Sequence, residues 1–323
     1  MENLVLFHYL RVGRVRWRPV LRKLVRSSIQ FDVVVAHSWP AIEIAQRVGA
    51  AQGLPFVAAL HSSDLDRLER INGALREAAG VVFRAPWMQR VFEQRTRIQR
   101  PSFVAVSGIP EDEIDEAAKA HKCSEPTQEP LRIAFAGRLL SLKNVDVTLR
   151  ALSRLRGKFG FSFHIIGDGP DRQRLESLAG KLGLSDVVVF HGHLPRSEVL
   201  ASLADADVFA MASAPETFGL VYLEAMARGA VVIGAKDWGI DGVVKDGQNG
   251  YLVEPGNVDE MGQALLRTTD TVRRAELRKA AFETVANLTA EKVATRYLDF
   301  IRQVADGRAR AASENQAPLE NAP

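Results

Sequence analysis

The chain is poor in cysteine, in long apolar runs and in overall charge imbalance, and each shortage excludes something. Cys123 is the only cysteine in 323 residues, so no internal disulfide and no cysteine pair for a metal is available, as expected of a reducing compartment. No apolar stretch reaches the roughly 18 residues of a membrane span. The N-terminus lacks the short apolar core of a secretory signal, and a cytoplasmic location is expected. What is present is ordinary for globular proteins, with 46% hydrophobic and 25% charged residues, in a length sufficient for two domains.

The small net charge of +3 hides an asymmetry: residues 1–110 carry 16 Lys and Arg against 8 Asp and Glu, a net +8, which leaves −5 for the rest. The basic half opens with "YLRVGRVRWRPVLRKLVRSS", where arginines interleave with Leu, Val and Trp17. That is the composition of an amphipathic segment lying on anionic lipid, with a solvated helix face as the plainer alternative. Nucleic acid is not expected as a partner, because no recognition motif accompanies the charge.

From Phe31 the chain alternates short β-branched runs with helical patterns: "FDVVVAH", "PAIEIAQRVGAAQG", "PFVAALH", "GVVFR" and "SFVAVS". Strand and helix in this rhythm predict a parallel sheet. The polar stretch "PEDEIDEAAKAHKCSEPTQEP" breaks the rhythm, which restarts at "LRIAFAGR" and runs through "FSFHIIG", "VVVFHG", "DVFAMAS", "AVVIGA" and "GYLVEP". The expected organisation is a first Rossmann-like domain with linker over 1–125 and a second over 126–288. A helix over 289–305 packs back, and a polar tail over 306–323 is disordered. The fold class is α/β, with two Rossmann-like domains facing across a cleft and ligands at the carboxyl ends of the strands.

Several stretches could carry chemistry. "FAGRLLSLKN" puts Gly137, Arg138 and Lys143 between an apolar strand and a helix start, where free amides and two cations suit a phosphate. It is not a P-loop, since Leu142 and Asn144 stand where that motif requires Gly and Ser or Thr. "IIGDGPDRQRLE" lacks the third glycine of a dinucleotide fingerprint and reads as a tight turn with Pro170 at the first position of a helix. The "HGH" of His191 to His193 suggests metal ligands, yet no carboxylate or cysteine lies at ligand spacing, and turn histidines are the favoured reading.

In "SAPETFGLVYLEAMARGAVVIGA", Glu216 sits on a turn and Glu224 on the second turn of the helix that follows. The amides of Phe218, Gly219 and Leu220 are placed to bind an anion or hydroxyl, and each carboxylate can accept two hydrogen bonds from a vicinal diol. Capping or surface glutamates are the alternative.

In these motifs and their order, "FAGRLLSLKN", "IIGDGP", "VVFHGHL", "ETFGLVYLEAMARGAVVIGA" with its E-x7-E spacing and "DGVVKDGQNGYLVEPGNVDEM", residues 131–266 resemble the C-terminal domain of glycosyltransferase family 4, the retaining GT-B enzymes. The first half resembles the family through "FDVVVAHSW", "PFVAALHSSD" and "VAVSGIP". The resemblance implies that Gly137, Arg138 and Lys143 hold the diphosphate of a nucleotide sugar, that Glu224 holds its ribose, and that the loop at Leu194 approaches the base. It implies that Glu216 contacts the donor sugar with Phe218, Gly219 and Leu220, and that His61 reaches that sugar from the first domain. Glu216 and His61 are the catalytic candidates. No metal and no cofactor are implied; the nucleotide sugar is a co-substrate, and the acceptor is a glycan or lipid-linked sugar at the inner face of the membrane. The N-terminal domain is expected to lack its first strands, because the family's chains usually extend further before the strand at "DVVVAH". Ser62, Ser107 and Gly242 stand where the family has glycine, asparagine and glutamate. These departures keep open a second function: a nucleotide-sugar-binding subunit or regulatory homologue working with a partner transferase.

Overall fold

A computed structural model of the chain describes residues 5–7, 31–114 and 130–307. The basic stretch from Tyr9 to Ser28, Cys123, the expected boundary at 125/126 and the tail from 308 lie outside them. The described residues form two compact units, one ending at Val106 and resuming at Val293, the other Ser107–Lys292.

In the first unit, strands β1 (Val5–Phe7), β2 (Val34–His37), β3 (Phe56–Leu60), β4 (Gly80–Phe83) and β5 (Ser102–Val104) lie side by side in chain order, all parallel. Helices α1 (Trp39–Gln52), α2 (Leu68–Glu77) and α3 (Pro86–Arg95) provide the crossovers. β3 and β4 are buried at every residue, which is why they read as unbroken apolar runs rather than as alternation. β1 was not expected, because a three-residue strand ahead of an arginine-rich stretch carries no periodic signal.

The last helix, α10 (Ala290–Ala305), presents Tyr297, Phe300, Ile301 and Val304 at helical spacing. Those side chains pack on Val33, Val35, Val57, Val82 and Ala105 of the first sheet. The Phe103 ring stacks on Tyr297 and Phe300 at centroid distances of 6.2 and 5.6 Å. The first unit thus completes its core with the end of the described chain.

The second unit holds β6 (Leu131–Ala136), β7 (Phe161–Ile166), β8 (Val188–Gly192), β9 (Val208–Ala210), β10 (Val231–Ala235) and β11 (Tyr251–Val253). They form a parallel sheet in the order β11-β10-β9-β6-β7-β8. Its helices are α4 (Val145–Leu155), α5 (Arg172–Lys181), α6 (Arg196–Asp205), α7 (Leu220–Ala227), α8 (Val258–Arg267) and α9 (Thr271–Ala286). From β6 the chain builds outward through β7 and β8, then returns to lay β9 on the other side of β6. That reversal is a topological switch point, where the helices that follow β6 and β9 lie on opposite faces of the sheet.

The helix after β7 starts later than its sequence suggests. Pro170 precedes the N-cap Asp171 instead of opening the helix, because the chain is first tied down by bonds from the Asp171 amide to the Leu139 carbonyl (3.2 Å) and from the Arg172 amide to that of Gly169 (3.1 Å). None of the described helices is long and apolar enough to cross a membrane.

Candidate functional site

Backbone bonds stitch the strand-end loops of the second unit together. The Gly137 amide donates to the Ile166 carbonyl (2.9 Å), the Leu139 amide to that of Asp168 (2.9 Å) and the Gly167 amide to that of Gly192 (2.7 Å). Gly167 has φ +126°, and a Cβ there would run into the Gly137 carbonyl, so this join requires glycine. The stitched loops wall a cavity of about 520 Å3, lined among others by Gly137, Arg138, Asp168, His193, Leu194, Val199 and Val221. That volume is in the ordinary range for a small-molecule site. Two groups of residues expected to act at opposite ends of one ligand, Gly137 and Arg138 at one and Leu194 at the other, line the same space.

Across the switch point the loops after β6 and β9 are bound to each other. The Ala214 amide donates to the Leu142 carbonyl (2.9 Å), and the Asn144 side-chain amide donates to the Ala212 carbonyl (2.7 Å). Asn144 takes φ 53°, a left-handed conformation that asparagine tolerates better than most residues. The pairing sets the Lys143 ammonium 2.5 Å from Oε2 of Glu216, each side chain 17% exposed. Glu216 is further fixed by the Ser213 hydroxyl (3.4 Å to Oε2) and the Thr217 amide (3.1 Å to Oε1).

The chain then enters α7 through Gly219 at φ +79°, where a Cβ would lie 2.5 Å from the Tyr222 ring. Burial pushes the Tyr222 phenol well above its ordinary range, so its hydroxyl keeps its proton and donates to the Met211 carbonyl (2.6 Å). The amides at this helix start have no partner within the helix and carry the positive end of its dipole. Leu220 is exposed, while the Phe218 side chain is buried, which leaves its backbone to act. Val221 lines the cavity directly after these amides.

Glu224 lies one turn beyond Val221 on the same helix face, and its side chain is only 7% exposed. A buried carboxylate needs partners. Oε1 accepts from Nη1 of Arg196 at 2.8 Å, and Nη2 of Arg196 donates to both carboxylate oxygens of Glu113 at 2.8 and 3.0 Å. Arg228, itself buried, donates to the Glu224 carbonyl (3.1 Å) and lies 3.6 Å from Glu113. Hydrogen bonding to Glu113 and then to Glu224 pushes the Arg196 guanidinium above its ordinary range. Sequence reading missed Glu113, Arg196 and Arg228, since Arg196 meets Glu113 across 83 positions and Arg228 meets it from still further along the chain. One signal was available: Arg196 is the first residue of α6, a cation at the positive end of a helix dipole, where it is locally unfavourable.

The "HGH" histidines do not converge. His191 meets His164 of β7 (Nε2 of His191 to Nδ1 of His164, 3.0 Å), while His193 lines the cavity. Burial, then the neighbouring His191, holds the His164 imidazole below its ordinary range. Among the described residues no group of three His, Cys, Asp or Glu is placed to hold a metal ion.

His61 belongs to the first unit. It follows β3, its amide donates to Oδ2 of the buried Asp64 (2.7 Å), and its ring lies 6.0 Å from that of His37 at the end of β2. The Trp39 amide donates to the other oxygen of Asp64 (3.2 Å), so one carboxylate joins the loops after β2 and β3.

Residues 117–284, more than half of the chain, match the family model described as glycosyl transferases group 1. The chain is 29% identical over 302 residues to a glycogen synthase of Mycobacterium tuberculosis, covering 85% of this chain and 68% of that protein. It is 27% identical over 324 residues to a D-inositol 3-phosphate glycosyltransferase of Stackebrandtia nassauensis, covering 89% and 71%. Among solved structures it is similar in fold to Anabaena HepE in complex with UDP, with a TM-score of 0.70 at 22% identity over 88% of this chain and 82% of that one. The two parallel α/β units are those of the GT-B architecture, and the chain belongs to the group 1 glycosyl transferases, enzymes of glycosyl transfer from nucleotide-sugar donors.

Proposed function

We propose that the chain transfers a hexose, with retention of anomeric configuration, from a nucleotide sugar to a glycan or lipid-linked acceptor in the synthesis of a surface polysaccharide or glycolipid. The observation that carries this reading is the junction of the loops after β6 and β9, which sets Lys143 against Glu216 beside the start of α7. Arg138 and Lys143 bind the diphosphate, Glu224 takes the ribose hydroxyls and the Leu194 loop meets the base. The Gly137 backbone lets the phosphates approach closely. Glu216 positions the donor sugar with the amides of Phe218, Gly219 and Leu220, and His61 contacts that sugar from the first unit.

In the reaction the bond from the anomeric carbon to the β-phosphate oxygen breaks while the acceptor oxygen bonds to the same face of that carbon. The acceptor proton passes to the departing phosphate oxygen. Arg138, Lys143 and the α7 dipole stabilise the negative charge that accumulates on the diphosphate, which supports a reaction without a bound metal. Lys143 is already paired with Glu216, so the arriving phosphate shares that ammonium and leaves the Glu216 carboxylate free to turn towards the sugar. The basic stretch from Tyr9 to Ser28 supports work at the cytoplasmic membrane face.

The test is transfer from UDP-, GDP- and ADP-hexoses to a panel of lipid-linked and oligosaccharide acceptors, with the anomer of the product read by NMR and Glu216→Ala assayed alongside. A retained anomer, formed by the wild type and not by the variant, is expected. Donor binding without transfer to any acceptor would favour the nucleotide-sugar-binding subunit instead. Exchanging Arg14, Arg16 and Arg18 for glutamate should release the protein from anionic vesicles, and unchanged binding would remove the membrane claim.

A further inference from the structure

Arg196 stands outside every motif above, yet it holds Glu224, the one carboxylate of α7, which is buried. On α6, Arg196 lies one turn before Val199; on α7, Glu224 lies one turn after Val221; and Val199 and Val221 both line the cavity. The Arg196–Glu224 contact thus lies one helical turn from a cavity-lining residue on each of the two helices.

We infer that Arg196 is a positioning residue for the nucleotide ribose: it fixes one oxygen of Glu224 so that the other is presented to the ribose hydroxyls. This rests on the assignment of Glu224 to the ribose. Arg196 spends one guanidinium nitrogen on Oε1 of Glu224, and among the described residues Oε2 has no hydrogen-bond partner. A carboxylate with one oxygen engaged keeps the other and its two lone pairs for the hydroxyls of a diol. The second guanidinium nitrogen is held by both oxygens of Glu113, so the fork cannot swing away without giving up that pair as well. Arg228 braces the same pair from behind, on the Glu224 carbonyl and on Glu113.

The geometry also explains a local conflict. A cation at the first position of α6 is unfavourable to that helix, and sequences depart from local consistency chiefly at sites that serve function. A lysine in place of Arg196 would keep the charge but lose the planar fork that reaches two carboxylates at once.

The experiment is a calorimetric titration of the full chain with UDP, GDP and ADP and with the 2′,3′-dideoxy analogue of whichever binds, for the wild type, Arg196→Ala and Arg196→Lys. The wild type should prefer the parent nucleotide over its dideoxy analogue by about tenfold or more, the worth of one charge-assisted hydrogen bond. Arg196→Ala should bring that ratio to within about twofold, with affinity for the dideoxy analogue unchanged, and Arg196→Lys should recover part of it. Three results would overturn the inference: a ratio kept in Arg196→Ala, an equal weakening of both nucleotides, which marks a structural role, or tighter binding of the parent, which marks Arg196 as an obstruction. If the wild type binds none of the three nucleotides, the ribose assignment fails and takes this inference with it, a failure already visible before any variant is made.

Discussion

The two sheets of this chain are both parallel, yet only one of them reverses. In the first unit β1 to β5 lie in chain order; in the second, β9 returns to the far side of β6. A sheet laid down in order sends successive crossover helices to the same face, whereas a reversal sends the helices of two neighbouring strands to opposite faces and makes a switch point at their ends. The second unit places cations, carboxylates and a helix start there. In the first unit the carboxyl ends of β2 and β3 carry His37 and His61 around a buried aspartate, and the core is completed by a helix from the far end of the chain. The Lys143–Glu216 and Arg196–Glu224 pairs both lie in the unit that reverses.

The comparison breaks most readily at the junction of the β6 and β9 loops. Lys143→Ala or Glu216→Ala should lower kcat for transfer by about 10² to 10³, the usual effect of removing one preorganised charge at a reacting centre, with thermal stability little changed. A rate within about threefold of wild type would remove the switch point from the reaction. Next in size is His61→Ala, which should lower transfer by about tenfold to a hundredfold, the worth of one strong hydrogen bond, and leave nucleotide affinity in a titration unchanged. Loss of nucleotide binding in that variant would mean that His61 serves the nucleotide and not the sugar alone.

A smaller effect separates site glycines from ordinary turns. Gly219 and Gly157 have similar φ, +79° and +83°, but a Cβ at 219 meets the Tyr222 ring while one at 157 meets nothing within 4 Å. In denaturant unfolding Gly157→Ala should cost about 1 kcal/mol for its left-handed backbone and Gly219→Ala about 2 to 4 kcal/mol, as overpacking adds to the same strain. Equal losses would show that Tyr222 yields freely.

The smallest effect concerns His164 on β7. Its imidazole is held below its ordinary range, so the unfolded chain binds the extra proton first, and stability should fall as pH drops through about 6.5. His164→Gln should flatten urea-derived stability between pH 7.5 and 5.5 relative to wild type. An unaltered pH slope would show that His164 does not contribute.

Much of this was legible because the informative residues are local. β6 and β7 carry apolar-rich runs set between Pro130 and Gly137 and between Gly160 and Gly167, and the spacing of Glu216 and Glu224 sets one on a turn and the other on a helix, as found. Residues whose meaning depends on sequence-distant partners were not legible. Arg196 reads as a surface cation until the fold brings it to Glu224 and Glu113, and Asn144 reads as a failed P-loop position until it is seen to hold the Ala212 carbonyl. Pro170 misled for a related reason, since the first turn of α5 is set by bonds to Leu139, which lies on another loop.

The measurement that tests the central claim most directly is a calorimetric titration of UDP, GDP and ADP into the wild type and Glu224→Ala. The account predicts that one nucleotide binds the wild type in the micromolar range, about −8 kcal/mol, and that the variant loses it. Binding of none of the three, or equal binding by Glu224→Ala, would contradict the assignment of this site to a nucleotide-sugar donor.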